Sequence, residues 1–323
     1  MTRGTPFHSR TAPLCEPQNW RRWAGYFVVG SYEMSHDREY FAIRNSAALI
    51  DITPLHKYVL RGPDAARLLD RIVTRSVAKC AVGQVLYTPW CDEDGKVIDD
   101  GTVARLDEQT FRITAAEPNL HWLHDNMYGL RNISVEEVSD STAALALQGP
   151  LSRAILNQIS SVNLDSLKYF RLKSVELGGI AVTISRTGYT GDLGYEIWVD
   201  AAKAESLWDK LIEAGTPYSV TPAGILALDV ARVEAGLIML DVDYTSAKKA
   251  LIESQKSSPF ELGLGWAVSF DKGEYVGKRA LRADQQHGPA RQLVGLEVEW
   301  LWSESIALAT SDLSSALIAL FAL

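Results

Sequence analysis

What this chain has little of narrows its identity first. Cysteine occurs three times in 323 residues, at Cys15, Cys80 and Cys91. An odd and widely spaced set gives neither a disulfide framework nor a zinc spacing, so a reducing, cytoplasmic setting is expected. Positive charge is in deficit: 32 lysines and arginines against 40 acids leave a net charge of −8. Neutralising phosphates needs the opposite balance, so no nucleic-acid partner is expected. None of the six histidines stands in a ligand set. His121 and His124, three apart, fit a helix surface, and no metal is expected. The one strongly apolar run, S-S-A-L-I-A-L-F-A-L at the C-terminus, is too short to span a bilayer, so no membrane partner is expected. The first fifteen residues contain arginine, no acid and two prolines, without an amphipathic period, and read as a plain arm.

What remains is ordinary for a globular protein, 47% hydrophobic and 22% charged, and at this length two or three domains are expected. A monomer or weak dimer is anticipated. The most distinctive stretch is Arg186 to Asp200, R-T-G-Y-T-G-D-L-G-Y-E-I-W-V-D. Gly188, Gly191 and Gly194 mark a constrained turn where another group can approach the backbone closely. In the strand that follows, Tyr195, Ile197 and Val199 face one way and Glu196, Trp198 and Asp200 the other. Glu196 thus stands at the mouth of a strand, near Tyr189. A carboxylate there can accept two parallel N–H bonds from a flat heterocycle, with an aromatic ring as stacking wall. The same pattern also describes an ordinary hairpin with a solvated glutamate.

Two other stretches echo one another. Tyr58-Val59-Leu60-Arg61-Gly62-Pro63 leads into a helix with Leu68, Leu69 and Ile72 toward a core. Ala146-Leu147-Gln148-Gly149-Pro150 leads into one with Ile155, Leu156 and Ile159 placed likewise. Proline at a helix start is a sound strand-to-helix junction, and the echo describes either two related sheet-plus-helix modules or a coincidence of a frequent solution. Between the copies lies a hairpin turning at Glu93-Asp94-Gly95. Asp99 and Asp100 close its second strand, and since neighbours face opposite ways, one of them points inward unless both are surface residues. Phe41, Ile43 and Ala47 with Leu49 are expected to line a helix entering a strand. Residues 202–215 read as an amphipathic helix stopped by Gly215, and 223–237 as a second, with Leu226, Val230 and Val233 on one face and an Asp229–Arg232 pair. Gly263–Phe270 and Leu293–Val298 read as strands.

These pieces carry a resemblance. The Arg186–Glu196 stretch resembles the R-T-G-Y-T-G-x-x-G-[FY]-E signature of the glycine cleavage T-protein (aminomethyltransferase) family. Leu147-Gln148-Gly149-Pro150, Gly95–Asp100, Arg232-Val233-Glu234-Ala235, Ser258–Trp266 and Tyr275–Leu281 match further family motifs in the same order. The resemblance implies an α+β fold: two related sheet-plus-helix modules around a central channel, then a C-terminal β-barrel-like domain, here shortened. The corresponding domains are 1–53 plus 138–225, then 54–137 with the Asp99/Asp100 hairpin, a connection over 226–285, and the β domain at 286–323. It implies tetrahydrofolate as cofactor, with Asp100 as the catalytic, proton-handling group and Glu196, Tyr189, Tyr87 and Tyr169 as cofactor-binding residues. The function implied is transfer of an aminomethyl or methylene unit to tetrahydrofolate, with a lipoylated carrier protein or a small molecule as partner. A demethylase of a small S-, N- or O-methyl compound and a non-catalytic folate-binding maintenance protein are the alternatives. Two departures stand out: Leu228 where the family usually has arginine, and Asp51-Ile52-Thr53-Pro54-Leu55 where it has D-V-S-H-M.

Overall fold

The computed structural model describes residues 2–296. The chain runs β1 (Arg3–Gly4), α1 (His8–Thr11), β2 (Asn19–Trp23), β3 (Tyr26–Ser31), α2 (Asp37–Asn45), β4 (Ala48–Asp51), β5 (His56–Arg61) and α3 (Ala65–Ile72). The hairpin β6 (Val85–Cys91) and β7 (Val97–Arg105) follows, then β8 (Thr110–Ala115), α4 (Leu120–Asp125), β9 (Ser134–Glu137), β10 (Thr142–Gln148) and α5 (Ser152–Ile159). Next come β11 (Leu172–Leu177), β12 (Ile180–Ser185), β13 (Gly194–Asp200), α6 (Ala204–Gly215), β14 (Thr221–Pro222), α7 (Ile225–Glu234) and α8 (Lys278–His287). The strands form a six-stranded sheet, β11-β12-β13-β10-β4-β14, a five-stranded sheet, β6-β7-β8-β5-β9, and a small sheet, β1-β3-β2. The fold is mixed α+β, and none of these sheets closes into a barrel among the described residues.

Burial follows the alternation of each strand. On the six-stranded sheet, Leu145, Leu147, Ile197 and Val199 pack on α5 and α6, while Ala144, Ala146, Ile50 and Trp198 face the middle of the molecule with α2 and α7. On the five-stranded sheet, Tyr58, Leu60, Val103, Phe111 and Ile113 pack on α3 and α4. Its other face, with Tyr87, Asp100, Thr102, Arg112 and Thr114, is set by register to look the opposite way. Both sheets therefore bury one apolar face under outer helices and turn the other inward.

The two strand-to-helix junctions match in conformation. Gly62 and Gly149 have φ of +123° and +126°, and a Cβ on either would strike backbone carbonyls of a neighbouring segment. Only glycine fits such a left-handed, crowded corner. Gly101 is a different case, crowded at negative φ: a Cβ there would lie 2.0 Å from the Thr114 carbonyl oxygen across the β7–β8 ladder. Gly101→Ala must push these central strands apart and is expected to cost about 3 kcal/mol, read by urea unfolding. A loss below about 1 kcal/mol would mean that the ladder yields without strain.

Several readings of the sequence need correction. The N-terminal arm is structural: Phe7 is fully buried in the core with α6, and Thr5 donates to the Asp51 carboxylate at 2.6 Å. Phe41 is 57% exposed, outside the core that Ile43 and Ala47 enter. On α7 the buried face is Ala227, Leu228, Ala231 and Arg232 rather than Leu226, Val230 and Val233. Small residues let the helix approach the sheet closely, and Arg232 is carried inward by its pairing with Asp243. Gly263–Phe270 forms a turn and a 3-10 segment at Gly265–Ala267, because Gly263 takes a φ of +72° and Leu264 donates back to the Pro259 carbonyl. Leu293–Leu296 contains no strand. Residues 297–298 and most of the expected 286–323 β domain lie outside the described residues.

Candidate active site

The signature turn owes its glycines to one buried amide. Gln148, fully buried, sits between Gly188 and Gly194, so a Cβ on either would lie 2.0 Å from its Oε1. The amide donates to the carbonyls of Thr187 and Tyr195 and accepts from the Thr190 hydroxyl at 3.0 Å. Arg44 fastens the turn from outside, donating to the Thr190 carbonyl at 2.6 Å while pairing with Asp192 and Glu234. The turn is thereby rigid where it delivers β13 and Glu196. That rigidity is what a binding carboxylate needs to keep its orientation.

Glu196 and Trp198 project from the same face of β13, toward the centre. Thr187 donates to the Glu196 carboxylate at 2.7 Å, and burial holds that carboxyl above its ordinary range, with Thr187 and the nearby Arg112 pulling it back. Across from it, the Arg112 guanidinium of β8 lies over the Trp198 ring, 4.0 Å from its centroid. This contact joins the inner faces of the two large sheets. Burial lowers Arg112 to about 10, against the pull of Glu196. The Arg112 Nε and the Trp198 Nε1 are both buried without a partner among the described residues.

Asp99 and Asp100 divide as alternation requires. Asp99 is fully buried on the α3–α4 side, where it accepts from the Glu117 backbone at 3.0 Å and from the Asn119 amide at 2.8 Å. It fixes the loop after β8. Asp100 faces the centre, accepting from the Tyr87 hydroxyl at 2.8 Å and from the Tyr244 hydroxyl. Burial raises its carboxyl, and the two phenols offset part of that rise. Desolvation first, then the Asp100 charge, raises the phenols of Tyr87 and Tyr189, which places Tyr189 in the same neighbourhood. Asp100, Glu196, Tyr87 and Tyr189 are all deep yet retain some accessible surface.

Of the residues singled out in the sequence, Asp100, Tyr87 and Tyr189 thus converge, and Glu196 lies on the inward face of the other sheet, beside Trp198 and under the influence of Arg112. Tyr169 stands apart from them, 66% exposed, its ring edge-on to Phe170. Two participants were missed. Tyr244 arrives on an irregular segment that packs against β6 and β7, and no local pattern marks it. Arg112 was legible only as an interior strand arginine, F-R-I-T-A, whose alternation puts it opposite Phe111 and Ile113. Among the described residues no group of three or more His, Cys, Asp or Glu side chains is placed to hold a metal, and no helix is long and apolar enough to cross a membrane.

Known proteins share this arrangement of elements. The GCVT N-terminal domain family matches residues 7–272. An aminomethyltransferase of Halothermothrix orenii is 40% identical over 265 residues, covering 81% of this chain and 71% of that protein. A trimethylamine-oxide aldolase of Ruegeria pomeroyi is 34% identical over 313 residues, 93% of this chain but 38% of that protein. The solved glycine cleavage system aminomethyltransferase T from Bartonella henselae aligns with a TM-score of 0.79 at 26% identity, covering 90% of this chain and 77% of its own. Taken with the match over most of its length, these relatives establish that the chain belongs to the GCVT aminomethyltransferase family.

Proposed function

We propose that this chain is a tetrahydrofolate-dependent aminomethyltransferase of the cytoplasm, with a lipoylated carrier protein as donor. The observation that carries this reading is a pair of carboxylates on the inward faces of the two large sheets, neither closed into an ion pair among the described residues: Asp100 under two phenols and Glu196 near buried, unpartnered donors. Polar groups left open in a buried cleft fit a polar, flat ligand rather than water alone. Tetrahydrofolate supplies a secondary amine that takes up the one-carbon unit. Glu196 holds the amide-like edge of the pteridine, and Tyr189 and Tyr87 wall it. Tyr169, exposed at the rim, offers a stacking face to what extends outward. Asp100 stabilises positive charge on the receiving nitrogen or holds its proton. Orientation by these groups supplies much of the rate, without a nucleophile in the chain.

The modular division at 53/54 and 137/138 belongs to this proposal. It is supported by sheet membership, since β4 and β10 to β14 share one sheet and β5 to β9 the other. The segment over 226–285 then serves to bring α7 and Tyr244 to the junction. A non-catalytic folate binder is disfavoured by the enzymes among the relatives and by the clamped Asp100.

Calorimetric titration with tetrahydrofolate tests the reading, followed by turnover with aminomethyl-loaded lipoyl carrier and, separately, with small methylated amines. Absence of tetrahydrofolate binding would sink it. Turnover with the amines alone would replace the donor. The phenols give a pH test. Tyr244→Phe removes a hydrogen bond that favours ionised Asp100, so its carboxyl rises further. The acid limb of kcat/KM is expected to move to higher pH, and an unmoved limb would separate Asp100 from the titrating step.

A further inference from the structure

Two buried donors on the inward faces of the sheets have no partner among the described residues. Arg112 is 6% exposed and Trp198 4%, and the Arg112 Nε and Trp198 Nε1 are both unpartnered. An unpaired buried N–H is costly, and a guanidinium more so, which is why such groups are rare unless something else completes them. Glu196 is the acid whose charge reaches the guanidinium, and the two do not close into an ion pair among the described residues. If Arg112 were a structural residue, the nearby carboxylate would be its partner and both would be satisfied.

The rest follows from the proposed folate site. The edge of a 2-amino-4-oxopteridine presents a carbonyl, a ring N–H and an amino group in a row. Glu196 has the acceptors for the two N–H groups. The carbonyl next to them then needs a donor beside Glu196, and a charged donor makes the stronger bond. Arg112 lies over Trp198, two residues from Glu196 on the same strand face.

We propose that Arg112 is a specificity-determining residue of the cleft, donating to the pteridine 4-oxo oxygen beside the edge that Glu196 accepts. It reads the exocyclic position 4, an acceptor in 4-oxo and a donor in 4-amino pteridines, while the ring nitrogen beside it, which changes from donor to acceptor, is met by Glu196 in every variant of the test. A site built to bond one such group rejects its opposite strongly, since buried donors are left unpaired.

The test is a cycle of two proteins and two ligands by calorimetry, with tetrahydrofolate and its 4-amino-4-deoxy analogue. In Arg112→Met the ratio of the two dissociation constants is expected to shift toward the 4-amino ligand by about tenfold or more. Arg112→Lys, which keeps a charge but loses the planar fork, is expected to fall between. Arg112→Met should remain folded, because an apolar chain of similar length fills the same space over the Trp198 ring. A ratio that does not change, or a collapse of the melting temperature in both variants, overturns the proposal and makes Arg112 structural. Failure of wild type to bind either ligand overturns the folate reading itself, a different result.

Discussion

Asp100→Asn is expected to reduce turnover by about 10²- to 10⁴-fold, the usual worth of a positioned proton-handling group. Tetrahydrofolate should still bind within a few-fold of wild type, because the carboxylate proposed to hold the pteridine edge, Glu196, belongs to the other sheet. The fold should survive. An amide can still accept from one phenol, and the other hydroxyl can turn to accept from the new amino group. Burial raises Asp100 in the folded state, so whatever this group contributes to stability is present at low pH and lost as pH rises through its folded value. Its charge therefore adds nothing to stability at neutral pH, and the neutral amide should melt no lower than wild type. Stopped-flow turnover, calorimetric binding and a thermal melt on the same preparation decide the matter. Equal losses in binding and turnover would make Asp100 a binding group, and a fall in melting temperature would make it a structural one.

Much of this site is readable in the sequence itself, and what is not readable there has a physical cause. Strand alternation divides Asp99 from Asp100 and Glu196 from Ile197, because a period of two is local and sends neighbours to opposite faces of the sheet. It did not choose between the two aspartates; the family motif did, and Asn119 with the Glu117 backbone explains why Asp99 serves the loop. The glycines of the signature were legible as a constrained turn, but their reason, the Gln148 amide threaded between them, is a contact across about forty residues that spacing cannot reveal. Helix α7 shows the opposite failure. Its apolar residues Leu226, Val230 and Val233 give a plausible stripe, yet close approach to the sheet favours the alanines and tolerates a buried Arg232 paired to Asp243. Tyr244 lies on a segment held by packing rather than by a repeating pattern, so it carried no signal.

Glu196→Ala probes the other wall and should fail in the other parameter. If Glu196 accepts two N–H bonds from the pteridine as proposed, its loss is expected to weaken tetrahydrofolate binding by about 10²-fold, with each charge-assisted bond worth about 1.5–3 kcal/mol before water partly compensates. KM for tetrahydrofolate should rise by a similar factor, while kcat at saturation falls much less, since Asp100 and its phenols are untouched. The neighbours tolerate the change: Ser185 and Thr187 already share a hydrogen bond at 2.7 Å, so neither is orphaned. Arg112 is the group that suffers, because Glu196 is the charge that supports it. Glu196→Gln, which keeps the shape, should therefore bind poorly as well, because its amino group meets the ligand's donors. If instead kcat falls and KM does not, Glu196 acts on the reacting nitrogen and the roles given to the two walls are reversed.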